Sequence, residues 1–412
     1  MSGVAELIAE HGSPLWLADV DRARERLAGM REAWSAAWPD TEISYSYKTN
    51  RTTAFLRAFA DDGAGAEVVC AAEYALARDV VGIEGPRITV NGPVKPDALL
   101  ERAAADGALV IVDSAPELQR LALAGVLRAG IRVGLPGPKG QPSRFGIAPA
   151  DVVAAGRRAI ELGLTLEALS VHLVSTDFTA PTGASEGRDA ERAGNLAANV
   201  RVAWAKSPAV HARAAATLAG LAAELGVQTI DLGGGWPAAP SPDAAATATA
   251  VAAALHAAGF DGRLLLEPGR ALVADAVELA CTVVAVKTLA DASTCAVVDA
   301  GTNLLASALW AWPRLEALRA RGDLMAPPAL VAGPLCLNID VIAPAAQLGE
   351  LAPGDVLIAR DVGAYNQVQS TQFGDLRPAI VARDGGTWRL HRRREEISDL
   401  IVNDREEPSW SA

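Results

Sequence analysis

Eight short apolar segments recur between residues 43 and 270, and each ends in polar or glycine-rich residues before a stretch of helical periodicity. Strands that alternate with helices favour a parallel sheet. Eight such units in about 230 residues are typical of a TIM-like (β/α)8 barrel. A doubly wound sheet is the second interpretation, since no GxGxxG turn follows a segment. The predicted strands are Ile43–Lys48, Ala66–Cys70, Ile88–Gly92, Leu109–Ser114, Ile131–Leu135, Leu169–Val174, Thr229–Gly235 and Leu264–Arg270.

The pattern changes after Arg270. Short β-like segments joined by turn residues, such as Asp384-Gly385-Gly386, predict a C-terminal β-sandwich or small β-barrel. The extended segment Pro14–Ala18 has no barrel partner, so we expect it to join this β-rich domain. We therefore expect residues 30–272 to form the barrel, and residues 1–29 with 273–412 to form the β-rich domain. The predicted β segments are Val277–Leu289, Thr294–Asp299, Ala329–Leu335, Asp355–Asp361, Pro378–Arg383 and Thr387–Arg393.

Charge and cysteine usage limit the partners. The 412 residues carry a net charge of −12, which argues against nucleic acid or an anionic membrane surface, because both bind basic footprints. Residues 1–10 lack the basic start of a signal peptide. Four widely spaced cysteines predict neither a disulfide framework nor a metal site. We therefore expect a cytoplasmic protein that acts on a small molecule.

Lys48 lies at the end of the first predicted strand, where a solvated edge charge is the commonest role for a lysine. A barrel places its chemistry at the carboxyl ends of its strands, which makes a functional role more probable than usual. The seventh strand ends in Asp231-Leu232-Gly233-Gly234-Gly235. Three glycines bring backbone N–H groups close to a ligand and favour a phosphate site over a simple tight turn.

Two further side chains are predicted at the same end of the barrel. Glu267 ends the eighth strand and either pairs with Arg270 or faces a cationic ring nitrogen. His172 is either a satisfied core residue or a group that stacks on a ring. A lysine, a phosphate loop, a carboxylate and a histidine together suggest pyridoxal 5′-phosphate, with Lys48 forming the Schiff base and Glu267 keeping the pyridine nitrogen protonated.

The sequence also resembles a known family, the fold-type III pyridoxal-phosphate decarboxylases, which include diaminopimelate and ornithine decarboxylases. The resemblance implies an alanine-racemase-like barrel with a C-terminal β domain, and a head-to-tail homodimer with active sites at the interface. The motifs that carry it are Tyr47-Lys48-Thr49-Asn50, Gly65-Ala66-Glu67-Val68-Val69, Asn91-Gly92-Pro93-Val94-Lys95, Val112-Asp113-Ser114, Ser143-Arg144-Phe145-Gly146, the triple glycine, Glu267-Pro268-Gly269-Arg270, Val298-Asp299-Ala300-Gly301, Gly333-Pro334-Leu335-Cys336 and Gly363-Ala364-Tyr365.

The resemblance assigns roles by motif. It implies that Lys48 is the Schiff-base lysine, that His172 stacks on the ring and that Glu267 binds the pyridine nitrogen. Cys336 resembles the cysteine, donated by the other subunit, that returns a proton after carbon dioxide leaves; a buried small hydrophobe is the alternative. The remaining implied cofactor contacts are Ser175, Gly234, Gly235, Gly269, Arg270 and Tyr365.

The departures from the family concern the substrate. In diaminopimelate decarboxylases a glutamate follows the loop cysteine and binds the distal amino group, whereas Leu337 stands here. An arginine and a tyrosine that bind the distal carboxylate in that family are replaced in residues 302–310, where Trp310 takes the place of the tyrosine. A zwitterionic distal end would be left unpaired, which argues against meso-diaminopimelate. The predicted substrate residues are Arg270, Trp310, Leu337, Asp340, Phe373 and Asp375.

These observations predict an α-decarboxylase of an amino acid or amino-acid conjugate other than meso-diaminopimelate. We expect it to serve the biosynthesis of a siderophore or other specialised metabolite, including a substrate tethered to a carrier protein. The alternatives are a diaminopimelate decarboxylase of lysine biosynthesis, an amino-acid racemase and a non-catalytic homologue that binds a partner. The stretch Asp177–Arg213 either covers a bulky substrate or is a tolerated insertion.

Overall fold

The structure is a computed structural model that describes residues 2–136, 142–173, 208–236, 238, 244–309, 312–319, 321–323 and 326–404. The described residues fall into two compact units. The barrel unit holds residues 22–173 and 208–274, and the sheet unit holds residues 2–21 and 275–404, within those ranges.

Eight parallel strands close the barrel unit. Each strand pairs with the next in sequence. The last strand, Arg263–Leu266, pairs with the first, Thr41–Ser46, from Thr41↔Leu264 onward, which completes the ring. The predicted (β/α)8 barrel is therefore confirmed. The strands end two to four residues before their predicted ends, because the polar and glycine residues that follow leave the hydrogen-bonded ladder. They are β2 Thr41–Ser46, β3 Gly65–Val68, β4 Ile88–Val90, β5 Leu109–Val112, β6 Arg128–Arg132, β7 Thr165–Ser170, β8 Thr229–Asp231 and β9 Arg263–Leu266.

The helices of the barrel unit follow the amphipathic pattern of the sequence. Helix Pro149–Glu161 begins with a proline, which is favoured in the first helical turn because the N–H that it lacks would have no partner there. The helix buries Val152, Ala155 and Ala159, which are spaced to lie on one helix face. The other helices of this unit are Val20–Ala37, Thr53–Asp61, Ala71–Ala75, Asp97–Asp106, Glu117–Leu123, Pro208–Leu225, Ala244–Ala257 and Arg270–Val273, with a π-helix at Leu76–Val81 and 3₁₀ turns at Tyr47–Thr49 and Gly85–Arg87.

The sheet unit is a mixed sheet in which nine strands are described. Strand β1 lies between antiparallel β10 and parallel β16, so the prediction that Pro14–Ala18 joins the β-rich domain is confirmed. Strands β12 and β14 were not predicted. The strands are β1 Leu15–Asp19, β10 Val277–Thr288, β11 Thr294–Val298, β12 Arg314–Ala317, β13 Ala329–Ala332, β14 Val341–Ala346, β15 Val356–Arg360, β16 Ile380–Asp384 and β17 Thr387–Arg392.

Alternate residues of the central strands form the core of the sheet unit. Leu15 and Leu17 of β1 pack with Ala280, Ile358 and Val381, all of them buried. Its helical segments are Ser2–His11, Ala274–Ala276, Ala306–Leu309 and Ile397–Leu400. No helix in the described ranges is both long and apolar enough to cross a bilayer.

Candidate active site

Lys48 lies in the turn that follows β2, and a buried carboxylate holds it there. Its Nζ atom is 2.5 Å from Oε2 of Glu67, a side chain with no exposed surface, while 28% of the Lys48 side chain is exposed. The hydroxyl of Ser46 donates to the same oxygen at 2.5 Å. Glu67 thus supplies the lysine with a fixed anionic partner at the carboxyl end of the barrel strands.

Asn91, which follows β4, connects the carboxylates of Glu67 and Glu267. Its side-chain N–H₂ donates to Glu267 Oε1 at 2.7 Å and to Glu67 Oε1 at 3.2 Å. Both amide hydrogens are therefore used, and the amide fixes the separation of the two carboxylates. The structure places Glu267 near Lys48, as the sequence predicts.

Burial controls the ionisation of the barrel carboxylates. Burial, followed by the charges of Asp231 and Glu67, raises the pKa of Glu267 well above its ordinary value, and Lys48 acts in the opposite direction. Burial also raises the pKa of Asp231 to about 6, although Ser170 and the Gly233 N–H stabilise its charged form. Such a cluster favours a cationic partner, which is what a protonated pyridine nitrogen would supply beside Glu267.

The glycine turn after β8 lies against the end of β7. The N–H of Gly234 donates to Nδ1 of His172 at 3.2 Å. A Cβ atom on Gly234 would lie 2.5 Å from Cε1 of His172, and one on Gly235 would lie 2.0 Å from the Leu173 carbonyl oxygen. Gly235 also has a φ of +94°, which favours glycine. The turn therefore needs glycines to reach His172.

Trp236 fixes this turn and was not predicted. Its Nε1–H donates to the Gly233 carbonyl oxygen at 2.7 Å. Its ring stacks on His211 with centroids 4.4 Å apart and meets the ring of Trp34 edge-on at 5.2 Å. The position of the indole directly after three glycines was the available signal in the sequence.

The turn after β9 packs on the turn that carries the lysine. A Cβ atom on Gly269 would lie 2.0 Å from Oγ1 of Thr49, so only glycine allows this approach. Arg270 is buried and begins the short helix Arg270–Val273. Gly269 therefore lies against the residue next to Lys48, while the cofactor contacts of Gly269 and Arg270 stay predictions.

Further charged residues near the strand ends had no predicted role: Lys95 and Asp113 belong to quoted motifs, whereas Arg132 and Glu117 were not singled out. Arg132 Nη1 lies 3.5 Å from Asp113 Oδ1, and its guanidinium lies over the Phe145 ring at 4.6 Å. Burial lowers the pKa of Arg132, and the nearby Asp113 opposes this shift. A fully buried Lys95 pairs with Glu117 at 2.9 Å, which connects the loops after β4 and β5. Their shared position at or a few residues after the ends of barrel strands was the signal for this set.

Asp340 of the sheet unit is 3% exposed, and its carboxylate is occupied by groups of its own chain. Oδ1 accepts the N–H of Thr302 at 2.7 Å and the Thr302 hydroxyl at 3.1 Å. Oδ2 accepts the N–H of Leu335 at 2.8 Å. These contacts describe a residue that positions the Cys336 loop, and the substrate contact of Asp340 stays a prediction.

The other predicted residues of the sheet unit lie in exposed or half-buried loops. Cys336 is exposed, and so are Leu337 and Phe373, at 43% and 53%. The Asn303 side chain donates to the Phe373 carbonyl oxygen at 3.1 Å. Asp375 is exposed and accepts the N–H of Leu376.

Tyr365 adopts a φ of +67°, a rare backbone conformation for a residue other than glycine. Such strained positions are frequent at functional sites. Its contact with the cofactor, like the proton donation by Cys336, stays a prediction. Ser175, Trp310 and residues 177–207 lie outside the described residues. Across the described ranges, no group of three or more histidine, cysteine, aspartate or glutamate side chains has the arrangement of a metal site.

Comparison with known proteins places this geometry among decarboxylases. A family model described as "Pyridoxal-dependent decarboxylase, C-terminal sheet domain" matches residues 18–363. The diaminopimelate decarboxylase of Deinococcus radiodurans is 31% identical over 400 residues, which are 94% of this chain and 95% of the relative. That of Actinosynnema pretiosum subsp. auranticum is 30% identical over 425 residues, with 96% and 90% covered.

Solved structures share the fold. A diaminopimelate decarboxylase from M. jannaschii in complex with L-lysine gives a TM-score of 0.84 at 22% identity, covering 98% of this chain and 95% of that one. A lysine/ornithine decarboxylase from Vibrio vulnificus, complexed with putrescine, gives 0.75 at 23% identity, covering 93% and 98%. At these identities the likeness supports the fold alone.

Proposed function

Because the chain belongs to the pyridoxal-dependent decarboxylase family, we propose that it removes the α-carboxyl group of an amino acid or amino-acid conjugate other than meso-diaminopimelate. Membership of this family makes the chain a pyridoxal-phosphate-dependent carboxy-lyase. This membership favours decarboxylation over two alternatives raised from the sequence, an amino-acid racemase and a non-catalytic homologue. The observation that supports the substrate proposal is the exposed apolar side chains that follow Cys336 in the chain, Leu337 and Ile339.

The barrel unit holds a set of groups that fits pyridoxal 5′-phosphate. Lys48 offers an amine for the aldehyde, Glu267 a carboxylate for the ring nitrogen, and Gly235 of the glycine turn a backbone N–H for the phosphate. We propose that His172, whose Nδ1 accepts the Gly234 N–H, stacks on the ring. When bound, the cofactor supplies an electron sink for the charge that develops as carbon dioxide leaves.

The residues of the chain then control protons. Glu67 Oε2, 2.5 Å from Lys48 Nζ, holds the lysine ammonium whenever the amine is released from the cofactor. Glu267, 1% exposed, holds the proton of the ring nitrogen where water does not compete. We propose that Cys336 Sγ delivers a proton to the α-carbon after decarboxylation.

The substrate proposal rests on three exposed apolar side chains of the sheet unit, two of which follow Cys336 in the chain. Leu337 and Ile339 are 43% and 62% exposed, and Phe373 is 53% exposed. None of these side chains can pair with an ammonium or a carboxylate. If the bound substrate buries a charged distal group against these side chains, leaving that charge unpaired costs about 2–5 kcal/mol. These neighbours favour a substrate whose distal end is neutral or extended into a conjugate.

Decarboxylation of meso-diaminopimelate is the second candidate. It is favoured by the names of the curated relatives, which reach 31% identity over 400 residues. Under this alternative, residues other than Leu337 would bind the distal amine and carboxylate.

We also propose a homodimer, with Cys336 acting in the site of the other subunit, as the family resemblance implies. A role in siderophore or other specialised metabolism follows from the substrate proposal. None of the relatives named above carries a carrier-protein substrate in its name. We therefore test the free amino acid and its small conjugates first, and the carrier-bound form as a separate arm.

The test is a substrate screen with the purified holoenzyme. Meso-diaminopimelate, L-lysine, L-ornithine, citryl conjugates and a carrier-bound amino acid are each incubated separately, and released carbon dioxide and product mass are measured. We expect turnover of a substrate other than meso-diaminopimelate; turnover of meso-diaminopimelate alone would sink the proposal. Lys48→Ala is the inactive control, and it should also lose the visible absorbance of the lysine-bound cofactor.

A variant sharpens the choice between the two substrates. Leu337→Glu supplies the carboxylate that follows the loop cysteine in diaminopimelate decarboxylases, so it should raise turnover of meso-diaminopimelate. Leu390→Glu places the same charge at an exposed position of β17 and should not. Equal effects of the two variants would contradict a role for Leu337 in substrate choice.

A further inference from the structure

A cavity of about 210 Å³ opens at the amino-terminal ends of the barrel strands, opposite the end that carries Lys48. Several strands contribute their first residue to its wall, so its place is set by the barrel. These first residues are Thr41, Gly65, Leu109, Arg128, Thr229 and Arg263. None of them belongs to the predicted cofactor site.

Two of the arginines that line the cavity are engaged by glutamates. Arg128 donates to both oxygens of Glu167 at 2.7 Å. Arg263 reaches Glu42 at 3.1 Å and Glu167 at 3.0 Å. Contact with Arg128 is the main reason that the pKa of Glu167 is lowered, so this carboxylate is charged at neutral pH. The pairs neutralise one another and form the floor of the site.

Arg31 and Arg87 also line the cavity and add two positive charges. Arg87 donates one guanidinium nitrogen to the Ala64 carbonyl oxygen at 2.9 Å. Among the described residues, neither arginine forms an ion pair. Four arginines therefore face two glutamates in the cavity lining, which leaves a local charge of +2 in a chain whose net charge is −12.

We propose that this cavity binds a small dianion that carries a phosphate group, either inorganic phosphate or a phosphate monoester. The planar guanidinium fork matches phosphate oxygens in pairs, and two forks without carboxylate partners suit a dianion. The hydroxyls of Ser44 and Thr89 on the wall add neutral donors. Occupation would connect helix Val20–Ala37, which carries Arg31, to the 3₁₀ turn that carries Arg87.

The test titrates the holoenzyme with inorganic phosphate at constant ionic strength, by calorimetry and by thermal unfolding. We expect saturable binding and a rise in Tm with phosphate, since a ligand of the folded state stabilises it. Arg31→Gln combined with Arg87→Gln should weaken binding by about tenfold or more, because charge-assisted hydrogen bonds are lost. Arg157→Gln, an exposed arginine of helix Pro149–Glu161, is the matched control and should bind like the wild type.

Three further measurements keep the proposal falsifiable. The visible absorbance of the bound cofactor should stay constant, and its loss during titration would mean that phosphate competes at the cofactor site. Arg31→Lys with Arg87→Lys should recover part of the affinity, provided that the charge matters. A titration with glycerol phosphate shows whether a phosphate monoester or inorganic phosphate binds more tightly. Equal affinity of the glutamine variant and the wild type would overturn the site, and this readout needs no turnover.

Discussion

The carboxylates beside Lys48 are the residues whose ionisation the fold changes most clearly. Asp231 and Glu267 are buried, and Asn91 separates Glu267 from Glu67. Three acidic groups so close together cannot all be charged without cationic neighbours. At the scale of single residues, the charged forms of these buried carboxylates are therefore unfavourable, and a cationic cofactor ring would stabilise them.

Asp231 gives the first prediction. Its folded-state pKa is raised from 3.8 to about 6. Below 3.8 the group is protonated in both states, and as the pH rises toward about 6 the unfolded chain ionises first. Its contribution to the free energy of unfolding is therefore present at low pH and lost across this window.

Asp231→Asn removes this titration. The stability of the variant relative to the wild type should increase as pH rises from 3.8 to about 6 and stay constant above that, measured by urea unfolding. Asp384→Asn, an exposed position, is the control and should show a constant difference. A constant difference for Asp231→Asn as well would mean that the carboxylate titrates normally.

At the scale of elements, the glycine turn after β8 gives the second prediction. Gly235→Ala should raise the cofactor dissociation constant by about tenfold or more, because the strained backbone and the clash with Leu173 require the turn to move. Gly259 also has a positive φ, +72°, but nothing lies within 4 Å of its Cβ position. Gly259→Ala should therefore cost about 1 kcal/mol of stability and leave cofactor binding unchanged. Equal cofactor loss in both variants would assign the effect to backbone strain alone.

The Cys336 loop gives the third prediction. Asp340→Asn replaces a carboxylate that accepts three hydrogen bonds, so stability should fall by about 1.5–3 kcal/mol. Because the loop carries Cys336, kcat should fall while cofactor affinity stays constant. Asp384→Asn in the same unit should change stability by no more than about 0.5 kcal/mol. An unchanged kcat in a destabilised Asp340→Asn enzyme would make its role purely structural.

The elements differ in how far the sequence predicts them. The barrel strands were predicted because each ends abruptly in polar or glycine residues. Strand β12 was missed because Arg314–Ala317 is half-exposed and does not alternate, and β14 because Pro344 interrupts it. His172 was placed in a strand that ends at Ser170, because the pattern does not show where the ladder stops.

The sequence predicts the kind of site and several of its residues, but it does not predict the contacts among them. Lys48, Glu267 and the glycine turn stand out because each ends a strand. Glu67 was missed although a glutamate between Ala66 and Val68 is an unusual residue for a buried strand. The Asn91 bridge and the Trp236 contact depend on side chains that are distant in sequence, and a linear pattern does not encode such distances.

At the scale of the whole molecule, the proposed dimer predicts complementation. Lys48→Ala and Cys336→Ala should each be nearly inactive. If the partner subunit's Cys336 serves the site of Lys48, mixed and re-equilibrated variants should recover about a quarter of wild-type activity, since half of the dimers carry one intact site. Sedimentation of the mixture confirms the dimer. Activity no greater than the sum of the two variants would place Lys48 and Cys336 of one chain in the same site.

Because β1 is central in the sheet, it must wait during synthesis for a partner strand that is translated much later. Strand β1 pairs with β16, and the two lie about 360 residues apart in the chain. At about 5–20 residues per second, the ribosome needs roughly 20 to 70 seconds between the two strands. The barrel residues emerge in between and can fold as a continuous run. One edge of β1 therefore stays unpaired until β16 has been synthesised, and an unpaired strand edge in a nascent chain is a site that chaperones can protect.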